Sequence, residues 1–267
     1  MRPSLGVLGA IYADALNTIP YSSAVPMFRI AGVSIDPKFG CNCIDQNSRI
    51  QTRLEGVGFD SMRYLRDTSL GRHHPLIVDF QNEPYFIDAY LMSEEPVNLN
   101  AVKRNGGSME VDAFPHLNGE KSKLLFSFDG FETSFNVHKF WPKSTRKDTF
   151  YFDFNYLDNT FPTFDEYKVI ALHPIQETLS LRVLDVEKGR VDHLIFPIGP
   201  GRIDRGVIYV KTNEGTNVPM TSESEFEEAL HPISLKTQIS MEDLVDFINQ
   251  SADIYFQLKP GNLLKPQ

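Results

Sequence analysis

Two apolar runs on either side of a turn constrain this chain more than any other stretch. Leu76-Ile77-Val78-Asp79-Phe80 and Tyr85-Phe86-Ile87-Asp88-Ala89 are strand-length and rich in β-branched and aromatic residues. Gln81-Asn82-Glu83-Pro84 between them reads as the turn, so the pattern predicts an antiparallel hairpin. With the turn centred near residue 82, Asp88 falls opposite residue 75 or 76, and a shift of two or three positions sets it beside His73. Asp79 is a poorer partner for that histidine. It lies further along the same strand, on the order of 20 Å away at about 3.3 Å per residue.

A helix is predicted shortly before the hairpin. Ile50, Leu54 and Val57 recur at helical spacing, Asp45 falls in the first turn, and Gly56 or Gly58 can end the element. Cys43 then sits at or near a helix N-terminus. The positive end of the dipole and unpaired N–H groups stabilise a thiolate there, and the same N–H groups suit the oxyanion of a tetrahedral intermediate. Free cysteine is also among the most buried residue types, so a structural thiol is the alternative for Cys43. Cys41 is the rival nucleophile. A Cys-x-Cys pair alone makes no zinc site, because four ligands at recognisable spacings are needed and no second pair exists. His73 and His74 are adjacent and point to opposite faces if the chain is extended there.

The chain resembles the arylamine N-acetyltransferase family over most of its length, most sharply between residues 16 and 91. That family's nucleophile lies in a Gly-Gly-x-Cys-x-Glu-x-Asn motif, and Gly40-Cys41-Asn42-Cys43-Ile44-Asp45-Gln46-Asn47 matches it with two changes. Its His-x-x-Leu-x-Val-Asp strand is matched by His73-His74-Pro75-Leu76-Ile77-Val78-Asp79. Ile87-Asp88-Ala89-Tyr90-Leu91 stands where the family has Val-Asp-Val-Gly-Phe. The resemblance implies a triad of Cys43, His73 and Asp88, with Tyr90 and Leu91 at the substrate side. It implies acyl transfer from acetyl-CoA or another acyl-CoA, through a cysteine thioester, to an aromatic amine, hydrazine or other primary amine. Tyr90 and Met92 are bulkier than the family's residues. They point to an alternative donor, an acyl carrier protein, as in amide synthases that release a polyketide or peptide chain as an amide or lactam. A non-catalytic binding protein on the same scaffold is the third reading.

The rest of the chain suits an α+β protein. Leu124–Phe128, 131–140 and Thr149–Phe154 alternate with many aromatics and read as walls of an antiparallel barrel, with Asp129-Gly130 as a hairpin turn. A short helix at Leu8–Leu16 is stopped by Pro20, residues 21–39 read as an irregular connector, and 93–122 as loops. Further on come a segment ending His173-Pro174, a hairpin of 179–185 with 192–197, a strand at 207–211, and helices near 222–230 and 241–249. The expected organisation is a helical subdomain over 1–65 with the nucleophile, a β-barrel subdomain over 66–165 with His73 and Asp88, and an α/β lid over 166–267. The resemblance implies that these create a cysteine-protease-like Cys-His-Asp arrangement.

Charge narrows the partners. A net charge of −9 over 267 residues argues against nucleic acid, which calls for a basic face. No apolar run approaches the roughly 20 residues needed to span a bilayer. Two cysteines make no disulfide framework, so a reducing cytoplasm is the expected setting.

Overall fold

The hairpin closes more tightly than its sequence suggests. Leu76 pairs with Ile87, Ile77 with Phe86, Val78 with Tyr85, Asp79 with Pro84 and Phe80 with Glu83. Only Gln81 and Asn82 remain as the loop, both with positive φ (53° and 63°). That is the backbone handedness a two-residue loop needs to match the twist of its strands. The pairing ends at Leu76 and Ile87, and Asp88 is the residue directly after it.

A computed structural model describes residues 2–68, 73–117, 119–130, 133–142, 145, 147–172, 178–197 and 208–258. In chain order the elements are α1 (Leu5–Thr18), β1 (Tyr21–Ser22), α2 (Val25–Ile30), a 3-10 turn (Pro37–Phe39), α3 (Cys43–Glu55), β2 (Met62–Asp67), β3 (Leu76–Phe80) and β4 (Glu83–Ile87). Next come β5 (Val97–Asn98), α4 (Leu99–Arg104), β6 (Ser108–Ala113), β7 (Ser122–Phe128), β8 (Ser134–Phe140) and β9 (Lys147–Asp158). The remainder is α5 (Phe164–Ala171), β10 (Thr178–Asp185), β11 (Arg190–Pro197), β12 (Tyr209–Lys211), β13 (Asn217–Pro219), α6 (Glu223–Thr237) and α7 (Met241–Leu258). They group into two compact units, each discontinuous in sequence.

The first unit comprises Met1–Thr18, Cys43–Pro162 and Asn213–Gly215. Its eight strands run in the order β5-β4-β3-β2-β9-β8-β7-β6, antiparallel throughout, and form a nearly closed barrel-like sheet. The aromatic-rich segments are its walls. Phe86, Phe126, Phe135 and Phe152 bury their rings against one another, with centroids 5.3–6.2 Å apart. Helix α3 buries Cys43, Ile44, Gln46, Asn47, Ile50 and Leu54 on one side. The Tyr64 hydroxyl on β2 donates to Gln51 Oε1, tying that helix to the sheet.

The second unit comprises Ile19–Asn42, Thr163–Thr212 and Thr216–Gln267. Five strands in the order β1-β10-β11-β12-β13 pack with α2, α5, α6 and α7 around Phe28, Leu181, Phe196, Ile233 and Phe247. Ser222 caps α6 in a reciprocal pair with Glu225.

Several sequence expectations need correction. The connector at 21–39 contains helix α2, because Pro26 stands in its first turn, where proline starts a helix rather than breaking it, and Met27 and Phe28 bury beside it. The supposed loops at 93–122 hold β5, α4 and β6. Asn98, which reads as a loop residue, caps α4 by accepting from the Ala101 N–H at 2.8 Å. α1 begins earlier than its apolar pattern, with the Ser4 side chain accepting from Val7 N–H. α6 runs on through Pro232 to Thr237, and α7 to Leu258, because each keeps a buried face. His173-Pro174, residues 131–132 and Gly206-Val207 lie outside the described residues. Among the described residues no helix is long and apolar enough to cross a membrane.

The α3–β2 tie carries a pH signature. Burial pushes the Tyr64 phenol up to about 12 from its ordinary 10.0, with Glu55 and Asp45 adding to the rise and a hydrogen bond to Ser48 opposing it. The fold favours the neutral phenol, so this stabilisation is complete below the unfolded value and drains away as pH climbs from about 10 towards 12. Denaturation midpoints measured across that range should fall more steeply for the wild type than for Tyr64→Phe, which has no phenol to ionise. Parallel curves would remove Tyr64 as the cause.

Candidate active site

Cys43 is the first residue of α3 and is almost fully buried, at 7% exposure. The chain enters this helix through Gly40, whose φ is +81°. A Cβ built there would lie 1.9 Å from the Pro20 carbonyl oxygen. Both the dihedral and the close approach demand glycine. The preceding cysteine is held differently. Cys41 N–H donates to Pro20 O at 3.0 Å, and Cys41 O accepts from Ser22 N–H at 2.8 Å, so its backbone is part of a short ladder beside Tyr21.

His73 precedes β3. Its carbonyl accepts from Asp67 N–H at 2.9 Å, extending the β2 pairing beyond Leu76. Its ring lies against two aromatics: Tyr90 with centroids 4.4 Å apart, tilted by 46°, and Phe150 at 4.8 Å, edge-on at 87°. His74 is buried.

Asp88 follows β4 and is 1% exposed. Its Oδ1 accepts from Tyr90 N–H at 2.8 Å, and its carbonyl accepts from the Tyr12 hydroxyl at 3.2 Å. Asp79, the carboxylate that the strand geometry disfavours, pairs with Arg63 at 2.6 Å and accepts from Ser61 Oγ at 3.2 Å.

One side chain joins these elements. Asn47 sits one helical turn after Cys43 and is 1% exposed. Its Nδ2 donates to the His74 carbonyl at 2.9 Å, and its Oδ1 accepts from Ala89 N–H at 3.1 Å. A single amide therefore fixes the backbone just after His73 and just after Asp88 to the first turns of the Cys43 helix. The two bonds also fix the amide's orientation, because its nitrogen faces an acceptor and its oxygen a donor.

Of the residues expected at the substrate side, Tyr90 is half-buried against His73. Leu91 has no exposed surface and packs into the sheet core with Leu65, Phe86 and Val97. The other described histidines have different surroundings. His116 packs on Trp141 with centroids 5.1 Å apart. His138 Nδ1 lies 2.9 Å from Thr149 Oγ1, and burial, followed by the Lys147 charge, lowers its pKa. Among the described residues no three of His, Cys, Asp and Glu are grouped to hold a metal ion. Asn47 lies within the Cys43 motif, so its position is visible in the sequence although its partners are not. Phe150 and Tyr12 carry no sequence signal that connects them to the site.

No protein-family model matches the chain, and no curated sequence relative does. Solved structures do. The arylamine N-acetyltransferase of Mycobacterium marinum in complex with CoA superposes with a TM-score of 0.56 at 13% identity, covering 94% of this chain and 93% of that one. The Mycobacterium smegmatis arylamine N-acetyltransferase gives 0.56 at 16% identity, over 96% and 93%. At such identities the likeness is one of fold.

Asn47→Ala removes a hydrogen bond from a buried carbonyl and from a buried N–H at once. A loss of about 2–6 kcal/mol is expected, from about 1–3 kcal/mol per group. Urea denaturation measures it, and a loss below about 1 kcal/mol would show that the two groups find other partners.

Proposed function

We propose that this protein is an acyltransferase. It moves an acyl group from a thioester, acetyl-CoA or another acyl-CoA, to an amine through an acyl-cysteine intermediate. Cys43 is the nucleophile, His73 the general base and Asp88 the carboxylate that orients the imidazole. The observation that carries this reading is the Asn47 amide, which ties the segments bearing all three residues together. The full-length likeness in fold to arylamine N-acetyltransferases, one of them bound to CoA, supports it.

His73 takes the thiol proton, and the Cys43 thiolate attacks the thioester carbonyl. The tetrahedral intermediate collapses, the donor's thiolate departs, and the imidazolium returns the proton to it. An amine then attacks the acyl-cysteine, gives its proton to His73 and expels the Cys43 thiolate. The net products are an amide and a free thiol. Thioester exchange is close to neutral in energy and amide formation runs downhill, so the sequence of steps is driven without ATP. A reducing compartment such as the cytoplasm suits a reactive thiol.

Tyr90 favours a second reading of the donor. An aromatic ring stands beside the histidine where the family motif that this stretch resembles has glycine, which narrows that approach for a free CoA ester. In this version an acyl carrier protein presents the chain, and the product is a polyketide- or peptide-derived amide or lactam. Tyr90 then contacts the acyl group, with Leu91 supporting it from behind.

Mass spectrometry after incubation with acetyl-CoA should show one acetyl adduct on Cys43. Cys43→Ala should give none, and His73→Ala should form it roughly a thousandfold more slowly. Loading only from an acylated carrier protein would select the second donor. No adduct from either donor would overturn the acyltransferase reading.

A further inference from the structure

The ring of His73 has two aromatic neighbours that also touch each other. Tyr90 and Phe150 lie 6.0 Å apart between centroids at 69°. With the 4.4 Å and 4.8 Å separations to His73 they make a closed three-ring contact. These distances and tilts are those at which aromatic rings attract through edge and face. The second torsion of a histidine is broad and sets no ring plane by itself. A general base needs one plane, so something outside the residue must choose it.

We propose that Tyr90 and Phe150 clamp the His73 imidazole in its working plane and are positioning residues of the reaction; this rests on the acyl-transfer reading of Cys43, His73 and Asp88. Phe150 is the fixed jaw. It is 8% exposed, pairs across the sheet with Val137, and belongs to the barrel core. Tyr90 is the coupled jaw. Its ring meets the imidazole, while its own N–H donates to Asp88 Oδ1 at 2.8 Å. One residue thus touches both the imidazole and the carboxylate that orients it. The part of Tyr90 that acts is the ring rather than the hydroxyl. Contacts around His73 bring in Asp67, whose N–H meets the His73 carbonyl, Tyr151, whose N–H donates to Asp67 Oδ1, and Tyr90, whose N–H donates to Asp88; the same strands also carry Arg63, Tyr64, Arg66, Asp79, Glu83, Tyr85, Lys147, Asp148, Asp153, Tyr156 and Asp158.

The test is the pH profile of Cys43 alkylation by iodoacetamide in the full chain, read by tandem mass spectrometry of the tryptic peptide 39–49, which separates Cys43 from Cys41. The wild type should react with an inflection below the free-thiol value of about 8.5, and His73→Ala should abolish that displacement. Tyr90→Leu and Phe150→Leu should each lower the rate at neutral pH about tenfold and move the inflection towards the free-thiol value, with Tyr90→Phe, which retains the ring, displaced less than Tyr90→Leu. Wild-type profiles in both leucine variants, with thermal midpoints within about 5 °C of the parent, would overturn the clamp and leave the acyl-transfer reading intact. A wild-type profile already at the free-thiol value and indifferent to His73→Ala would overturn both. Should the leucine variants not fold, the wild-type His73 Cε1–H resonance decides. A ring-current displacement that Tyr90→Phe preserves supports the clamp, and a random-coil position overturns it.

Discussion

The site depends on one primary amide. Asn47 spends its donor on one strand-flanking segment and its acceptor on another, 27 and 42 residues away in sequence. In a buried setting both bonds are obligatory, since an unpaired carbonyl or N–H there costs its full desolvation. An aliphatic residue of the same size would fill the space but remove one hydrogen bond from each of two buried backbone groups. The helix that begins at Cys43 is thereby fixed to the segments that carry His73 and Asp88. Two further ties, Tyr64 to Gln51 and Tyr12 to the Asp88 carbonyl, keep the helix and the carboxylate segment in place.

Around that anchor the two sides of the site are built differently. On the helix side the constraint is polar, with Asn47 and Gln51 bonded to the segments around the helix. On the sheet side it is aromatic packing, with Phe86 holding the centre of β4 against the barrel and Phe150 reaching the histidine. Polar bonds set direction and rings set spacing. A nucleophile and a base that must meet with hydrogen-bond accuracy call for both kinds of support.

What could be read in the sequence follows from how local each signal is. The β3–β4 hairpin was legible because its strands are short, apolar and adjacent. The barrel walls were legible through alternation, although their ends drifted by a few residues. α2 was hidden because Pro26 reads as a breaker unless its position in the first turn is known. α4 was hidden because Asn98 and the Asn105-Gly106-Gly107 run give the segment a loop's composition. Asn47 was visible as a motif residue, but its two partners were not, because nothing local specifies contacts across 27 and 42 residues. Phe150 belonged to a run of similar phenylalanines, and only the fold singles it out.

The central claim is that Cys43, His73 and Asp88 act as a single unit. A double-mutant cycle on the single-turnover rate of Cys43 acylation, using His73→Ala, Asp88→Asn and the pair together, tests it most directly. The account predicts strong non-additivity, with the double variant scarcely slower than His73→Ala alone, because a carboxylate that acts through an imidazole has nothing to orient once the ring is gone. Two losses that simply multiply would contradict it, and would mean that the carboxylate and the imidazole serve the sulfur independently or not at all.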